Sequence, residues 1–385
     1  MKITTPMINW LQTRACAPAY SGWVLAGIAL CFFGAAVNTM AGWLYVISGI
    51  SFALLIVAAI LPPRSLVGLT VKRRPIRPIS AGDELTVEIE IYNQTQQSVN
   101  LLKVEDVLPF VLGKPITKAI ETIPPQSHYR WVYYQPTQRR GVYRWQKLEL
   151  VTGAPLGLFW CRRQRECPAT AIVYPSVLPL SYCPLVDEMG QQESYTSHLR
   201  GKPLQTETSG LVRSLRPYRI GDPIRLIHWR TSARYGELRV RELEIVTSGQ
   251  EIIIALDSAS QWETENFEQA VIAAASLYFY AQRQNMQVSL WTAFTGLIKG
   301  DLTIQEALAA TNAQEDSKTP LPEGFPVIWL TENADSISAL SSGSRWVLWQ
   351  NTSLPATPVG VNQNSSGIMV QSDQALQPQL QKPLV

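Results

Sequence analysis

Charge is scarce in this chain. Only 16% of its 385 residues are Asp, Glu, Lys or Arg, against about 25% in an average soluble protein. No charged residue stands between Arg14 and Arg64, and no acid precedes Asp83, so residues 1–82 carry seven basic side chains unopposed. With 46% apolar residues and a mean hydropathy of +0.00, the chain is too apolar for disorder and too polar for a many-span transporter. A few membrane spans joined to a soluble part have this average. The five cysteines (Cys16, Cys31, Cys161, Cys167, Cys183) form no C-x-x-C pair and have no histidine at metal-ligand spacing, which excludes the usual zinc patterns; they read as ordinary reduced thiols. The chain also lacks a Gly-rich phosphate loop, a nucleophile elbow and a His-Glu-x-x-His helix, so the common NTPase, hydrolase and metalloprotease chemistries have no signature in it. The net charge of +3 hides a gradient, because from residue 300 onward eight acids oppose three bases. A uniformly basic nucleic-acid surface is therefore not expected.

The uncharged interval covers 49 positions, and one span needs about 20 apolar residues. It fits two spans, placed at 22–37 and 43–61, with Asn38 to Gly42 as the turn and Pro62-Pro63 stopping the second helix. Trp23 and Trp43 sit where an aromatic belt anchors span ends, and Gly27, Gly34, Ala35 and Ala36 would allow close helix approach. Residues 1–63 thus read as a transmembrane hairpin, far longer than the apolar stretch of a cleaved signal peptide. The flanks, Lys2 and Arg14 before it and Arg64, Lys72, Arg73, Arg74 and Arg77 after it, place both ends in the cytoplasm by the positive-inside rule. The expected location is the plasma (inner) membrane, with the soluble domains cytoplasmic. Residues 64–79 read as a basic linker, Lys72, Arg73, Arg74 and Arg77 facing anionic lipid headgroups rather than nucleic acid.

From Asp83 the pattern turns to period two: Leu85, Val87, Ile89 and Ile91 alternate with Thr86, Glu88, Glu90 and Tyr92, as in a half-buried strand. Similar runs at 99–107, 128–135, 141–150 and 170–174, without intervening helices, predict a β-sandwich domain over 80–185. Residues 186–210 are polar, lack periodicity and read as a long loop.

Between Leu211 and Ile245 stand eight Arg and no Lys: Arg213, Arg216, Arg219, Arg225, Arg230, Arg234, Arg239 and Arg241. Guanidinium without ammonium points to planar, hydrogen-bonded pairing. Asp222-Pro223 is a helix start and Gly236 a stop, which predicts a helix over 223–235 followed by a strand over 237–245. The arginines are open to four readings: internal ion pairs with Asp222, Glu237, Glu242 and Glu244; an anion site; a nucleic-acid patch; or a surface for an acidic partner. Arg225, beside Asp222, reads as structural, whereas Arg230 and Arg234 read as available for binding. His228 reads as a satisfied structural histidine.

The run Arg216-Pro217-Tyr218, Gly221-Asp222, Arg225, His228-Trp229-Arg230-Thr231-Ser232-Ala233-Arg234, Glu237-Leu238 and Val240-Arg241-Glu242 closely resembles the signature of the domain of unknown function 58 family. Upstream, Arg139-Arg140-Gly141-Val142-Tyr143, Pro155-Leu156-Gly157-Leu158-Phe159 and Val173-Tyr174-Pro175 resemble it too. The resemblance implies an α+β multidomain chain: a transmembrane helical hairpin, a β-sandwich and a C-terminal von Willebrand factor A-like α/β domain, here over 211–350. It also implies a MoxR-type ATPase as protein partner. Such domains hold a divalent metal at the end of the first strand with Asp-x-Ser-x-Ser. Here Asp257 is kept, but Ala259 and Gln261 replace the two serines, so Asp257, Ser258, Thr331 and Glu332 outline a degenerate site where no metal is expected. Residues 351–385, rich in Gln, Ser, Asn and Pro, read as a loose tail. The expected role is a membrane-anchored interaction or scaffold module without cofactor or catalysis. The alternatives are an anion-dependent or hydrolytic enzyme using Arg216, Asp222, Arg225 and His228, and nucleic-acid binding through the eight arginines.

Overall fold

The long uncharged interval forms two helices, α1 (Tyr20–Thr39) and α2 (Gly42–Ser65), joined at Met40, which adopts a left-handed conformation. Both are long and apolar enough to cross a membrane, with mean hydropathies of 1.8 and 2.6. The buried residues of α1 are small and one heptad apart, Gly22, Ala29 and Ala36; those of α2 are Leu44, Ser48, Leu55, Ala58 and Pro62. Ser48 Oγ donates to Ala29 O at 3.0 Å across the contact. Of the small residues singled out from sequence only Ala36 is buried; Gly27, Gly34 and Ala35 are exposed, because a seven-residue repeat keeps a single stripe of the helix covered. Pro62 and Pro63 do not stop α2 at Leu61. They lie in its last turn, and Ser65 Oγ donates to Pro62 O at 2.8 Å before the helix ends.

The computed structural model describes residues 16–189, 211–218, 227–244, 251–322, 325–341, 343–350 and 366–384. The chain is α+β and divides into two compact units, Met1–Tyr174 and Pro175–Val385.

In the first unit β1 (Ala17–Pro18) precedes α1, and eight strands follow α2: β2 (Leu69–Arg73), β3 (Ile79–Ser80), β4 (Glu84–Asn93), β5 (Val99–Asp106), β6 (Ile116–Ile123), β7 (His128–Pro136), β8 (Gly141–Thr152) and β9 (Phe159–Tyr174). They form one sheet ordered β1-β9-β8-β5-β6, with β3 also paired to β9, and a second ordered β2-β4-β7. Leu85, Val87, Ile89 and Ile91 all point inward and are fully buried, as the alternation required, and meet Leu102, Val104, Leu148 and Leu150 of the other sheet in one core. Each such side chain contributes about 1.5–3 kcal/mol on burial.

The basic linker is where the reading departs most. Residues 69–73 are a strand, and the Arg73 side chain is 1% exposed. Arg73 Nη2 donates to both oxygens of the fully buried Asp106 at 2.7 and 2.8 Å, and the guanidinium lies 5.1 Å from the Trp145 ring. Arg73 is therefore withdrawn from any headgroup. Arg74 is half-exposed and pairs with Glu88 and Glu90 at 3.2 and 2.7 Å.

The second unit begins with residues that the sequence places at the end of the β-rich domain and in a loop. Residues 184–189 are helical, and Cys183, Leu185, Val186 and Met189 enter the core of this unit. An apolar Leu185-Val186 step and Met189 one turn on give that turn a buried side, which the polar residues around it obscure. Two further strands, β10 (Leu211–Pro217) and β11 (Arg239–Glu244), flank α3 (Trp229–Tyr235). Then come β12 (Glu251–Leu256), α4 (Thr264–Arg283), β13 (Gln287–Thr292), β14 (Gly296–Ile298), α5 (Asp301–Ala310), β15 (Val327–Thr331), β16 (Arg345–Gln350), β17 (Gly367–Gln371) and α6 (Leu376–Leu380). The sheet order is β14-β13-β12-β15-β16-β17, parallel except at β14. Its central strand is apolar on both faces: Ile252, Ile254 and Leu256 pack with α4, while Ile253 and Ala255 pack with Trp291, Trp329 and Trp346. The tail is not loose over 367–380. Ile368 and Val370 add a strand to the sheet, and Leu376 and Leu380 bury in its core.

Among the described residues no cysteine is joined in a disulfide. Burial pushes the Cys183 thiol up to about 12 and raises that of Cys167, which leaves both poor nucleophiles near neutral pH.

Candidate functional site

Two places in the second unit gather the residues singled out from sequence. The first is the arginine-rich segment. Its helix is α3, seven residues long, and it starts at Trp229 rather than Pro223. Ile227 is instead bridged to Val240, both buried, and His228 N donates to Arg239 O at 2.8 Å. The backbone at 227–228 is thus held as an extended pairing, and a helix through it would strip β11 of these bonds. His228 is the helix cap: its Nδ1 accepts from Thr231 N at 3.2 Å and lies 2.7 Å from Thr231 Oγ1. This is the satisfied structural role read for it. Ser232 Oγ donates to His228 O at 3.1 Å and accepts from Arg239 N at 2.9 Å. Gly236 closes the helix in the left-handed region (φ 74°), its N–H bonded to Ser232 O, a position that favours glycine.

This clasp presents rather than buries its larger side chains. Trp229 is 61% and Tyr235 59% exposed, and Arg230 and Arg234 are exposed beside them. Arg239 lies 4.4 Å from the Tyr235 ring and pairs with Glu237 at 2.6 Å, the one expected internal ion pair that falls among described side chains. Tyr218 N donates to Leu238 O at 2.8 Å. Arg216 faces Val240 in the β10–β11 ladder, Leu215 faces Arg241 and Ser214 faces Glu242. Gly221, Asp222 and Arg225 lie outside the described residues.

The second place is the C-terminal end of β12. Asp257 Oδ2 accepts from Thr331 Oγ1 at 2.8 Å and from Ser260 Oγ at 2.6 Å. Ser258 Oγ accepts from Ala293 N at 3.1 Å. Glu332 bonds at the start of α4, accepting from Glu263 N at 2.8 Å and Asn266 Nδ2 at 3.1 Å, where a carboxylate is favoured by the helix dipole. Ser260, absent from the sequence-based set, is brought in because the turn after Asp257 folds back, Trp262 Nε1 donating to Asp257 O at 2.6 Å. Among the described residues no group of three His, Cys, Asp or Glu side chains is placed to hold a metal ion.

The model of the family described as "Protein of unknown function DUF58" matches residues 214–304, a span that contains both places up to Ala293. The uncharacterized protein YeaD of Bacillus subtilis is 26% identical over 204 residues, 52% of this chain and 49% of that protein. The chain thus spans about half the length of this curated relative. Among solved structures, the CARDB domain of the PF1109 protein from Pyrococcus furiosus is 12% identical and covers 26% of this chain and 86% of that one, with a TM-score of 0.18. A beta-glucosidase from Listeria innocua is 13% identical and covers 27% of this chain and 16% of that one, with a TM-score of 0.16. Superpositions this poor assign no shared fold.

Proposed function

From a chain that belongs, through residues 214–304, to the DUF58 family, we propose a membrane-anchored interaction module that uses the clasp around α3 to hold a protein partner, and that performs no catalysis. The hairpin α1–α2 is the anchor in the inner membrane, with the remaining chain cytoplasmic; the basic flanks support that side. The two sheets sharing one core support a β-sandwich for the first soluble domain, and the largely parallel sheet with Asp257 at a strand end supports a von Willebrand factor A-like second domain. A MoxR-type ATPase is the partner class the family resemblance suggests. One observation carries the reading: Trp229, Tyr235, Arg230 and Arg234 are all exposed on a short helix capped by His228 and Gly236. Trp, Tyr and Arg are the residue types that dominate binding energy at interfaces. The hydrolytic alternative needs His228 as a base, yet its Nδ1 is used by the cap, and among the described residues no carboxylate is hydrogen-bonded to its other nitrogen.

The test is affinity capture of the MoxR-type ATPase by the detergent-extracted full chain. Trp229→Ala and the pair Arg230→Ala/Arg234→Ala should each lose about 2 kcal/mol or more, roughly thirty-fold in Kd. Their melting temperatures should stay near that of the parent, since exposed substitutions change stability by only about 0.5 kcal/mol. Undiminished capture by both variants would sink the assignment of this surface.

The strand end at Asp257 we read as closed by its own hydroxyl partners rather than by a metal. Ala259 and Gln261 stand where the metal-holding pattern has serines, and Ser260 and Thr331 already bond the carboxylate. Millimolar Mg²⁺ or Mn²⁺ should leave the melting temperature unchanged. A ligand a hundredfold above its Kd would add about 2.7 kcal/mol, so a rise of several degrees that Asp257→Ala abolishes would overturn this.

A further inference from the structure

The loop Pro155-Leu156-Gly157-Leu158-Phe159, singled out from sequence only by resemblance, sits at the open end of the apolar hairpin. Ala19 N donates to Leu158 O at 2.8 Å, and Ser21 Oγ donates to Gly157 O at 3.1 Å. Strand β1 pairs with the start of β9, Ala17 opposite Trp160 and Pro18 opposite Phe159. Gly22 lies so close that a Cβ there would stand 2.3 Å from Leu158 O, and a backbone oxygen cannot be moved aside by a rotamer change. The other leg is tied to the same strand: just past the end of α2, Leu66 O and Leu69 O accept from Arg165 at 3.0 and 3.2 Å. Strand β9 therefore holds both ends of the hairpin, and residues 157–160 lie beside the first turn of α1.

Large apolar side chains are bared here, with Ser21 exposed beside them and Gln164 exposed farther along β9. Tyr20 is 87%, Val67 67%, Leu156 43% and Trp160 42% exposed, with Arg64 exposed among them. Helix α1 has 20 residues, about 30 Å of helix, which matches the hydrocarbon thickness with no slack. Its first turn, and the loop bonded to it, must then lie at the headgroup boundary, where aromatic rings and apolar side chains flanked by a basic residue are favoured. We propose that residues 154–160 are a membrane-interface loop: Leu156 and Trp160 enter the headgroup–acyl boundary beside Tyr20, with Arg64 at the phosphates, and the lipid surface is the partner of this edge. The proposal rests on reading α1 and α2 as membrane spans.

Single-cysteine variants of the full chain, the remaining cysteines replaced by alanine, would carry an NBD fluorophore in phosphatidylcholine–phosphatidylglycerol vesicles. Leu156→Cys and Trp160→Cys report the loop, native Cys31 within α1 reports the span, and Gln138→Cys reports the opposite end of β8, a 12-residue strand about 40 Å long. At the loop positions the emission should shift to the blue, be quenched by shallow doxyl-labelled phospholipid and resist aqueous iodide, while Gln138→Cys is quenched by iodide. Two positions keep the reading open to refutation if one variant misfolds. Lipid-like emission at Cys31 with iodide quenching at both loop positions would overturn the loop proposal alone. Iodide quenching at Cys31 would remove the membrane spans, and this proposal with them.

Discussion

Asp106→Asn should cost the first unit about 3–5 kcal/mol, the loss typical of stranding one member of a buried ion pair. For a body of this size that is a fall of roughly 6–20 °C in melting temperature, measurable by circular dichroism of the detergent-extracted chain. The carboxylate is fully buried and holds four bonds: two from Arg73, one from Tyr133 Oη at 2.7 Å and one from Trp145 Nε1 at 3.1 Å. Burial pushes its carboxyl up, with the Arg73 charge the main opposing influence. Asparagine keeps one acceptor but turns an NH₂ toward donors and leaves the Arg73 cation dry and uncompensated. Arg73→Met should be comparably damaging, because it leaves the anion. The double replacement Arg73→Met/Asp106→Asn should cost less than the two single losses added together, since neither charge is then stranded. Additive losses would mean that the pair is not coupled and that the network is misread.

The other large effect is expected from one added methyl group. Gly367 lies directly opposite Trp346 in the β16–β17 ladder. A Cβ at 367 would lie 2.2 Å from the Trp346 ring and 2.3 Å from its carbonyl oxygen. The ring is buried and the oxygen belongs to a strand, so neither can yield cheaply. Gly367→Ala should therefore cost at least the 1–3 kcal/mol, or about that, of ordinary overpacking. The loss should take a particular form: β17 lifts, carrying Ile368 and Val370 and, through α6, Leu376 and Leu380 out of the core. Hydrogen exchange should rise across 367–380 before the rest of the sheet is affected. Gly27→Ala, where a Cβ meets nothing within 4 Å, is the neutral comparison. Equal exchange in the two variants would remove the argument.

What could be read from the sequence follows from the range of the forces involved. The hairpin was visible because an uncharged apolar interval of this length is a local signal, and α1 and α2 fill it. Strand β4 was visible because its alternation is local, and so was β12, as an apolar run buried on both faces. Arg73 was misplaced because nothing near it in sequence reveals Asp106, 33 residues on, and a basic residue after a span looks like a headgroup ligand. The start of α3 was misplaced for a related reason. Asp222-Pro223 is a good local helix signal, but the pairing of Ile227 with Val240 and the cap made by His228 belong to a clasp whose strands come from both sides of the helix. The tail was judged by its Gln, Ser and Asn content, which hid a short alternating strand whose glycine is required by a tryptophan twenty-one residues earlier. At Asp257 the carboxylate itself was legible, but Ser260 was not, since the turn that returns its hydroxyl is set by the tertiary fold.

The two ties that β9 makes to the hairpin also impose an order of events during synthesis. The helices are complete when Ser65 has been added, yet the carbonyls of Gly157 and Leu158 that receive Ser21 and Ala19 do not exist until residues 66–158 have followed. At about 5–20 residues per second that interval is roughly 5–20 s. If α1 and α2 enter the bilayer as they emerge, they wait there with their open end unroofed, held by their buried small residues, the Ser48 to Ala29 bond and the edge-on contact of Phe33 with Tyr45. The strands of the first unit are then folded onto a hairpin already in place, and the last of them to be synthesised is the one that locks it.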